Sequence, residues 1–306
     1  MNPLVSSPPD QAGELRRLVE AQRKGRQNFS KLRTIAVLSG KGGVGKSNLA
    51  LALSCAFADR GKRVVLLDAD LGLANIDILS GVTSRYNLVH LLNGSRKLDE
   101  VLVPLESRIR ILPGGVGLKD LADLDDAALL DFIDSLGGLE ESADILILDT
   151  GAGIHKGALS FAEAADTALL VTTPEPTSVR DAYGVLKALT SSKPSQGPEL
   201  SFVVNMALDE AEAHEVADRI RQATSRFLGV SVAYLGCVLK DKHVEQAVRR
   251  RNTFFRLYPA CYATEGVRQL ADMLLKETKN SSESPPASRG LKSFFLRLTR
   301  GYFAGK

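Results

Sequence analysis

The chain has 306 residues, 44% apolar and 25% charged with no tryptophan, which excludes wholesale disorder and collagen-like or fibrous structure. No stretch nears the ~18 apolar residues that span a bilayer, no signal-peptide core opens the chain, and Cys55, Cys237 and Cys261 are spaced as for reduced cytosolic thiols. The formal charge of +3 divides into +4 over residues 1–33, −6 over 34–288 and +5 over 289–306, an acidic body between two basic ends.

Pro and Ser dominate the first nine residues. Asp10 is a helix N-cap, and Ala12, Leu15, Leu18, Val19 and Gln22 keep helical spacing to about Arg23. Residues 25–32 read as a linker. From Thr34, strands are expected at 35–39, 63–68, 108–112, 145–149, 167–172, 200–205 and 230–238. They alternate with helices at 46–59, 88–92, 125–136, 157–165, 178–190, 209–227, 242–250 and 264–276. Several strands are continuous Val/Ile/Leu runs, the mark of a sheet covered on both faces. The fold expected is α/β, a doubly wound, mostly parallel sheet with ligands at the carboxyl ends of its strands. Three regions follow: a leader over 1–33, the sheet domain over 34–278, and a Ser/Pro-rich tether with a terminal helix over 279–306.

Gly40-Lys41-Gly42-Gly43-Val44-Gly45-Lys46-Ser47 stands between a predicted strand and a predicted helix and matches the phosphate-binding P-loop. Glycines let successive N–H groups face the phosphates, and the helix N-terminus adds its dipole. Lys46 reaches the β/γ-phosphates, Ser47 ligates Mg²⁺, and Asn48 completes the cofactor-binding run. Motif and context agree too closely for a turn that merely joins strand to helix. Asp68 and Asp70, two apart on one strand, point to the same side. Asp149 ends a buried strand of the Walker B kind, from which a carboxylate reaches Mg²⁺ through water.

Lys41, directly after the first glycine, makes the loop resemble that of the MinD/ParA ATPases. The resemblance implies a P-loop NTPase of MinD-like fold, with Lys41 crossing an ATP-sandwiched homodimer interface to the partner's phosphates. Residues 68–77, Asp-Ala-Asp-Leu-Gly-Leu-Ala-Asn-Ile-Asp, are similar to the family's switch I. On that match Asp70 positions the attacking water and Asp68 lies in the outer Mg²⁺ shell, so Lys41, Lys46 and Asp70 form the catalytic set. Asp149-Thr150-Gly151-Ala152-Gly153 resembles switch II, although most of the family has Pro where this chain has Gly151. That glycine is usual in the flagellar FlhG branch. In the family, the position of Asn205 reads the adenine edge, with the base against loops near residues 239–242. A buried asparagine satisfying backbone groups is the alternative. ATP and Mg²⁺ are the implied cofactors, with slow unstimulated hydrolysis.

On a helical wheel Leu291, Phe294, Phe295, Leu298 and Tyr302 share one face, with Lys292, Ser293, Arg297 and Arg300 around the rest. This suits an interfacial helix on an anionic membrane, reversibly tethering a cytoplasmic protein to the inner membrane. Docking on the parent domain is the alternative, and alternation between the two would make a switch. Asp10, Gln11, Ala12, Leu15 and Arg16 match the Asp-Gln-Ala-x-x-Leu-Arg motif that in FlhG proteins activates FlhF, a signal-recognition-particle-type GTPase. A basic leader with no partner is the alternative. The branch implies control of flagellar number and placement, with flagellar switch (C-ring) proteins or a flagellar transcription regulator as further partners. A cell-division MinD normally starts at the P-loop strand. A ParA-like DNA binder is opposed by the acidic body, where Arg249-Arg250-Arg251 is the only basic run, so no specific nucleic acid is expected.

Overall fold

The computed structural model describes residues 32–70, 75–115, 126–191, 197–280, 290, 291, 293–295, 297 and 298. The leader residues Asp10, Gln11, Ala12, Leu15 and Arg16, residues 71–74 of the expected switch I, most of the tether, and Tyr302 lie outside them.

Among the described residues, eight strands form one sheet: β1 (Arg33–Ser39), β2 (Val64–Ala69), β3 (Val103–Glu106), β4 (Ile109–Leu112), β5 (Ile145–Ala152), β6 (Thr167–Thr172), β7 (Glu199–Ala207) and β8 (Ala233–Leu239). Their spatial order is β3-β4-β2-β5-β1-β6-β7-β8, and only β3, hairpinned to β4, runs antiparallel. The principal helices are α1 (Lys46–Asp59), α2 (Asp126–Ser135), α3 (Lys156–Ala164), α4 (Pro176–Ser191), α5 (Glu210–Leu228), α6 (Lys242–Arg249) and α7 (Tyr262–Asn280). The expected doubly wound sheet is the observed one. Strand β3 was not foreseen, and β8 begins three residues later than expected.

Every residue of β1, β2 and β6 is buried, because helices cover both sheet faces. Residues of α1 and α7 build the core on one side, Phe57 and Leu270 among them. Residues of α2 to α5 build the other, including Phe132, Phe161, Val185 and Ile220. The order puts β1 at the centre, between β5 and β6. Chain connections diverge to either side there, leaving a crevice at the carboxyl ends.

The C-terminal segment joins the second core. Leu291, Phe294, Phe295 and Leu298 are each no more than 3% exposed. Phe294 stacks on Phe161 with centroids 6.4 Å apart, and Phe295 meets Phe132 edge-on at 5.4 Å. The Leu291 N–H donates to Glu140 Oε1 at 2.6 Å, and Arg297 Nε donates to the Ala164 carbonyl at 2.8 Å. Each large apolar side chain contributes about 1.5–3 kcal/mol on burial. Ordering each residue offsets part of this, at about 1–2 kcal/mol. Four of the five residues expected to face a membrane are thus packed against the body.

Candidate nucleotide site

The P-loop leaves β1 at Ser39 and enters α1 at Lys46. Its glycines are dictated by space and by backbone. A Cβ on Gly40 would stand 2.4 Å from the Asp181 carbonyl carbon, so only a bare backbone lets the loop lie against α4. Gly43 and Gly45 have φ of 80° and 85°, the left-handed region that opens a cradle of N–H groups before the helix.

Lys46 Nζ lies 2.6 Å from Asp149 Oδ1, both side chains being buried. Asp149 stands directly opposite Asp68 in the β5·β2 register, and both carboxylates are buried. Burial pushes the Asp68 carboxyl up to about 6, and the charge of Asp149 adds to that. Backbone N–H groups of Ile76, Asp70 and Asn75 work against the rise, at 3.2, 3.3 and 3.1 Å. Burial also raises Asp149, opposed by Lys46. Asp149 Oδ2 is buried with no hydrogen-bond partner among the described residues. An orphaned carboxylate oxygen beside a second carboxylate is costly unless a cation joins them. Asp149, Asp68 and the nearby Ser47 therefore fit Mg²⁺.

Lys41 turns the other way. Its ammonium pairs with Glu175 and donates to Thr177 Oγ1 at 3.1 Å, holding the loop to the start of α4. Asn205, at the end of β7, donates its amide N–H to the Val44 carbonyl at 2.8 Å. Its nitrogen is engaged with P-loop backbone, as in the alternative weighed for it. A cleft of about 540 Å³ opens beside it, walled by Lys41–Val44, Thr173–Glu175, Met206, Leu208, Glu212 and Lys240. Met206, Leu208 and Glu212 had no sequence signal. Met206 has φ 61°, unusual for a residue with a side chain, and its Cε lies against Gly45. Asn48, in the first turn of α1, is partly buried.

Near the end of β5 the backbone passes Gly151, where a Cβ would stand 2.8 Å from His155 Nε2 and 3.4 Å from Asp70 Oδ1. Ile154 lies over Gly184 of α4, where a Cβ would come within 2.8 Å of its Cδ1. Lys41, Lys46, Ser47, Asp68, Asp70 and Asp149 thus gather at adjacent strand ends.

Asp241, His243 and Cys261 also converge, with ligand atoms within 4.8 Å of one another. The Asp241 carboxylate caps α6, accepting from the His243 backbone N–H at 2.9 Å with His243 Nδ1 at 2.7 Å. The other Asp241 oxygen accepts the Ala263 backbone N–H at 3.4 Å, so the carboxylate serves the starts of both α6 and α7.

The CobQ/CobB/MinD/ParA nucleotide binding domain matches residues 35–254. The flagellum site-determining protein YlxH of Helicobacter pylori is 34% identical over 275 residues, covering 89% of this chain and 92% of that one. Antiactivator FleN of Pseudomonas aeruginosa is 34% identical over 265 residues, covering 87% and 92%. The chain belongs to this family, in its FlhG branch. Among solved structures, the septum site-determining protein MinD complexed with Mg-ADP from Pyrococcus horikoshii OT3 aligns at a TM-score of 0.64 with 22% identity. The alignment covers 83% of this chain and all of that one. At that identity the likeness shows the fold, which is the MinD-like P-loop architecture.

Proposed function

We propose that this FlhG-branch protein is an ATP-driven switch that regulates flagellar number and placement. The observation that carries the reading is a P-loop with a second lysine, Lys41, at the end of the central strand. Similarity over about nine-tenths of the chain to two flagellar regulators supports it.

The P-loop N–H groups bind the phosphates, and Lys46 exchanges its ion pair with Asp149 for the β/γ-phosphates. Ser47, Asp68 and Asp149 hold Mg²⁺, which when bound neutralises charge on the transferred phosphoryl group. Asp70 orients the attacking water in line with the leaving oxygen. Lys41 leaves Glu175 and Thr177 to reach the phosphates of a second copy, so that ATP joins two chains. Asn205 and the cleft around Met206 and Leu208 receive the base.

The C-terminal segment reports the nucleotide state. The residues now buried on the body, Leu291, Phe294, Phe295 and Leu298, are those that enter an anionic bilayer when the segment is released. Two tails per dimer bind with avidity where one binds weakly. The leader, through Asp10, Gln11, Ala12, Leu15 and Arg16, stimulates the GTPase FlhF, folding on contact. The protein is thereby cytoplasmic and reversibly peripheral on the inner membrane.

The test is co-sedimentation with anionic vesicles, with and without ATP, of full-length protein, a 1–288 truncation and Lys46→Gln. ATP-dependent pelleting of the full-length chain alone is expected. Equal pelleting of all three refutes the switch. Asp70→Ala should form ATP-dependent dimers without turnover; a failure to dimerise would refute its assigned role.

A further inference from the structure

Asp241, His243 and Cys261 take no part in the mechanism above, and helix capping accounts for only one of them. The Asp241 side chain, 6% exposed, accepts backbone N–H groups at two helix starts, a task that needs neither His243 nor Cys261. Cys261 is buried at the start of α7, with Sγ 3.3 Å from Thr264 Oγ1. Thr264 donates its own proton to the Tyr258 carbonyl at 2.9 Å, so that proton is not directed at the sulfur. The thiol is also within hydrogen-bonding reach of the Asp241 carboxylate. The His243 ring packs on Tyr258 with centroids 4.5 Å apart, and its Nδ1 lies 2.7 Å from Asp241 Oδ1. One oxygen, one nitrogen and one sulfur thus stand within 4.8 Å of one another, drawn from the starts of two helices.

We propose that these three side chains bind Zn²⁺, which joins the start of α6 to the start of α7. A mixed oxygen, nitrogen and sulfur set suits this borderline-soft ion, whereas Mg²⁺ and Ca²⁺ take oxygen alone. The carboxylate and the thiolate together match the charge of a divalent ion, so the two helix starts face a neutral centre. Bonds of about 2.0–2.3 Å to zinc put tetrahedral ligands roughly 3.3–3.8 Å apart. The three atoms therefore close by about 1 Å, a movement that side-chain rotation supplies. On binding, the thiol releases its proton to solvent, and the neutral imidazole carries its proton on Nε2, which leaves the Nδ1 lone pair to the ion. Three protein ligands leave the fourth position to water, and the His243 side chain, 34% exposed, gives solvent access. The Ala263 N–H on the second Asp241 oxygen and the Tyr258 ring beside His243 orient two of the three ligands.

The probe is Co²⁺, which takes zinc sites and shows a thiolate charge-transfer absorption only where sulfur is a ligand. Untagged full-length protein, with its thiols reduced and Mg²⁺ in excess, is titrated with Co²⁺ and then with Zn²⁺. One equivalent of Co²⁺ should produce the band, and Zn²⁺ should remove it. The band should be absent in Cys261→Ser and retained in Cys55→Ser and Cys237→Ser. His243→Ala should weaken Co²⁺ binding at least tenfold, since even the contacts that orient a metal ligand are worth about 10–100-fold in affinity. Zinc-edge X-ray absorption of the unsubstituted protein, which depends on no variant folding, should show one sulfur bound to the metal. No band in the parent chain, a band that survives Cys261→Ser, unchanged affinity in His243→Ala, or a zinc shell without sulfur overturns the proposal.

Discussion

Arg297 Nη2 lies 3.2 Å from Asp166 Oδ1, while the other oxygen of that carboxylate accepts both the backbone N–H and the hydroxyl of Thr34. One side chain thus pins the C-terminal segment to the root of β1. Asp166→Asn keeps an oxygen for Thr34 and turns an amide toward Arg297, replacing attraction with a donor–donor contact. Undocking should become easier by about 1 kcal/mol, roughly fivefold in population. Faster hydrogen exchange over residues 290–298 and more vesicle pelleting without ATP are the measurements. Unchanged exchange would mean that the aromatic contacts alone hold the segment.

Phe294→Ala tests those contacts. A core Phe→Ala change usually costs about 3–5 kcal/mol. Here the loss cannot exceed the free energy of docking, because the segment can leave while the sheet stays folded. Thermal unfolding of the body should shift by only a few degrees, whereas amide protection in the segment collapses. A global loss on the order of 4 kcal/mol would show the segment to be an integral part of the core.

On the proposed reading, Lys41 leaves Glu175 before it reaches a second chain. The pair is largely exposed, so its worth is at most about 1 kcal/mol. Glu175→Gln should therefore lower the ATP concentration needed for dimerisation by up to about fivefold. Analytical ultracentrifugation across an ATP titration reads this directly. A higher ATP requirement would assign Glu175 to the dimer interface instead.

The raised Asp68 carboxyl has a cost with a definite sign. It titrates at about 6 in the folded protein, against ~3.9 for an ordinary aspartate. Between those values the folded chain holds a proton that the unfolded chain has released. The destabilisation is therefore complete above pH ~6 and absent below pH ~4. With a chelator present, Asp68→Asn should stabilise the fold at pH 7 by on the order of 2 kcal/mol, with the gain fading toward pH 4. Denaturant unfolding at the two pH values measures it, and equal gains would rule out this origin. ATP with Mg²⁺ should reverse the ranking by stabilising only the parent chain.

The parallel sheet and the P-loop were legible in the sequence because both follow from local rules: unbroken apolar runs, and glycines at fixed spacing before a helix. Strand β3 was not legible. It is four residues long and contains Pro104, tolerated only because it lies at the sheet edge. The wall made by Met206 and Leu208 depends on a positive φ that no residue preference announces. The terminal segment was ambiguous for another reason. An apolar stripe flanked by cations reads the same whether a lipid surface or a protein groove receives it.

Helix α3 is capped by His155, which lies against Gly151 near the end of β5, and ends at Ala164, whose carbonyl receives Arg297. Nine residues at 1.5 Å each make a rod of about 14 Å. Whatever tilts its first turn also tilts its last. In the proposed switch one rigid lever then joins the strand ends of the nucleotide site to the docked terminal segment, and no chain of rearranging side chains is needed to carry the signal.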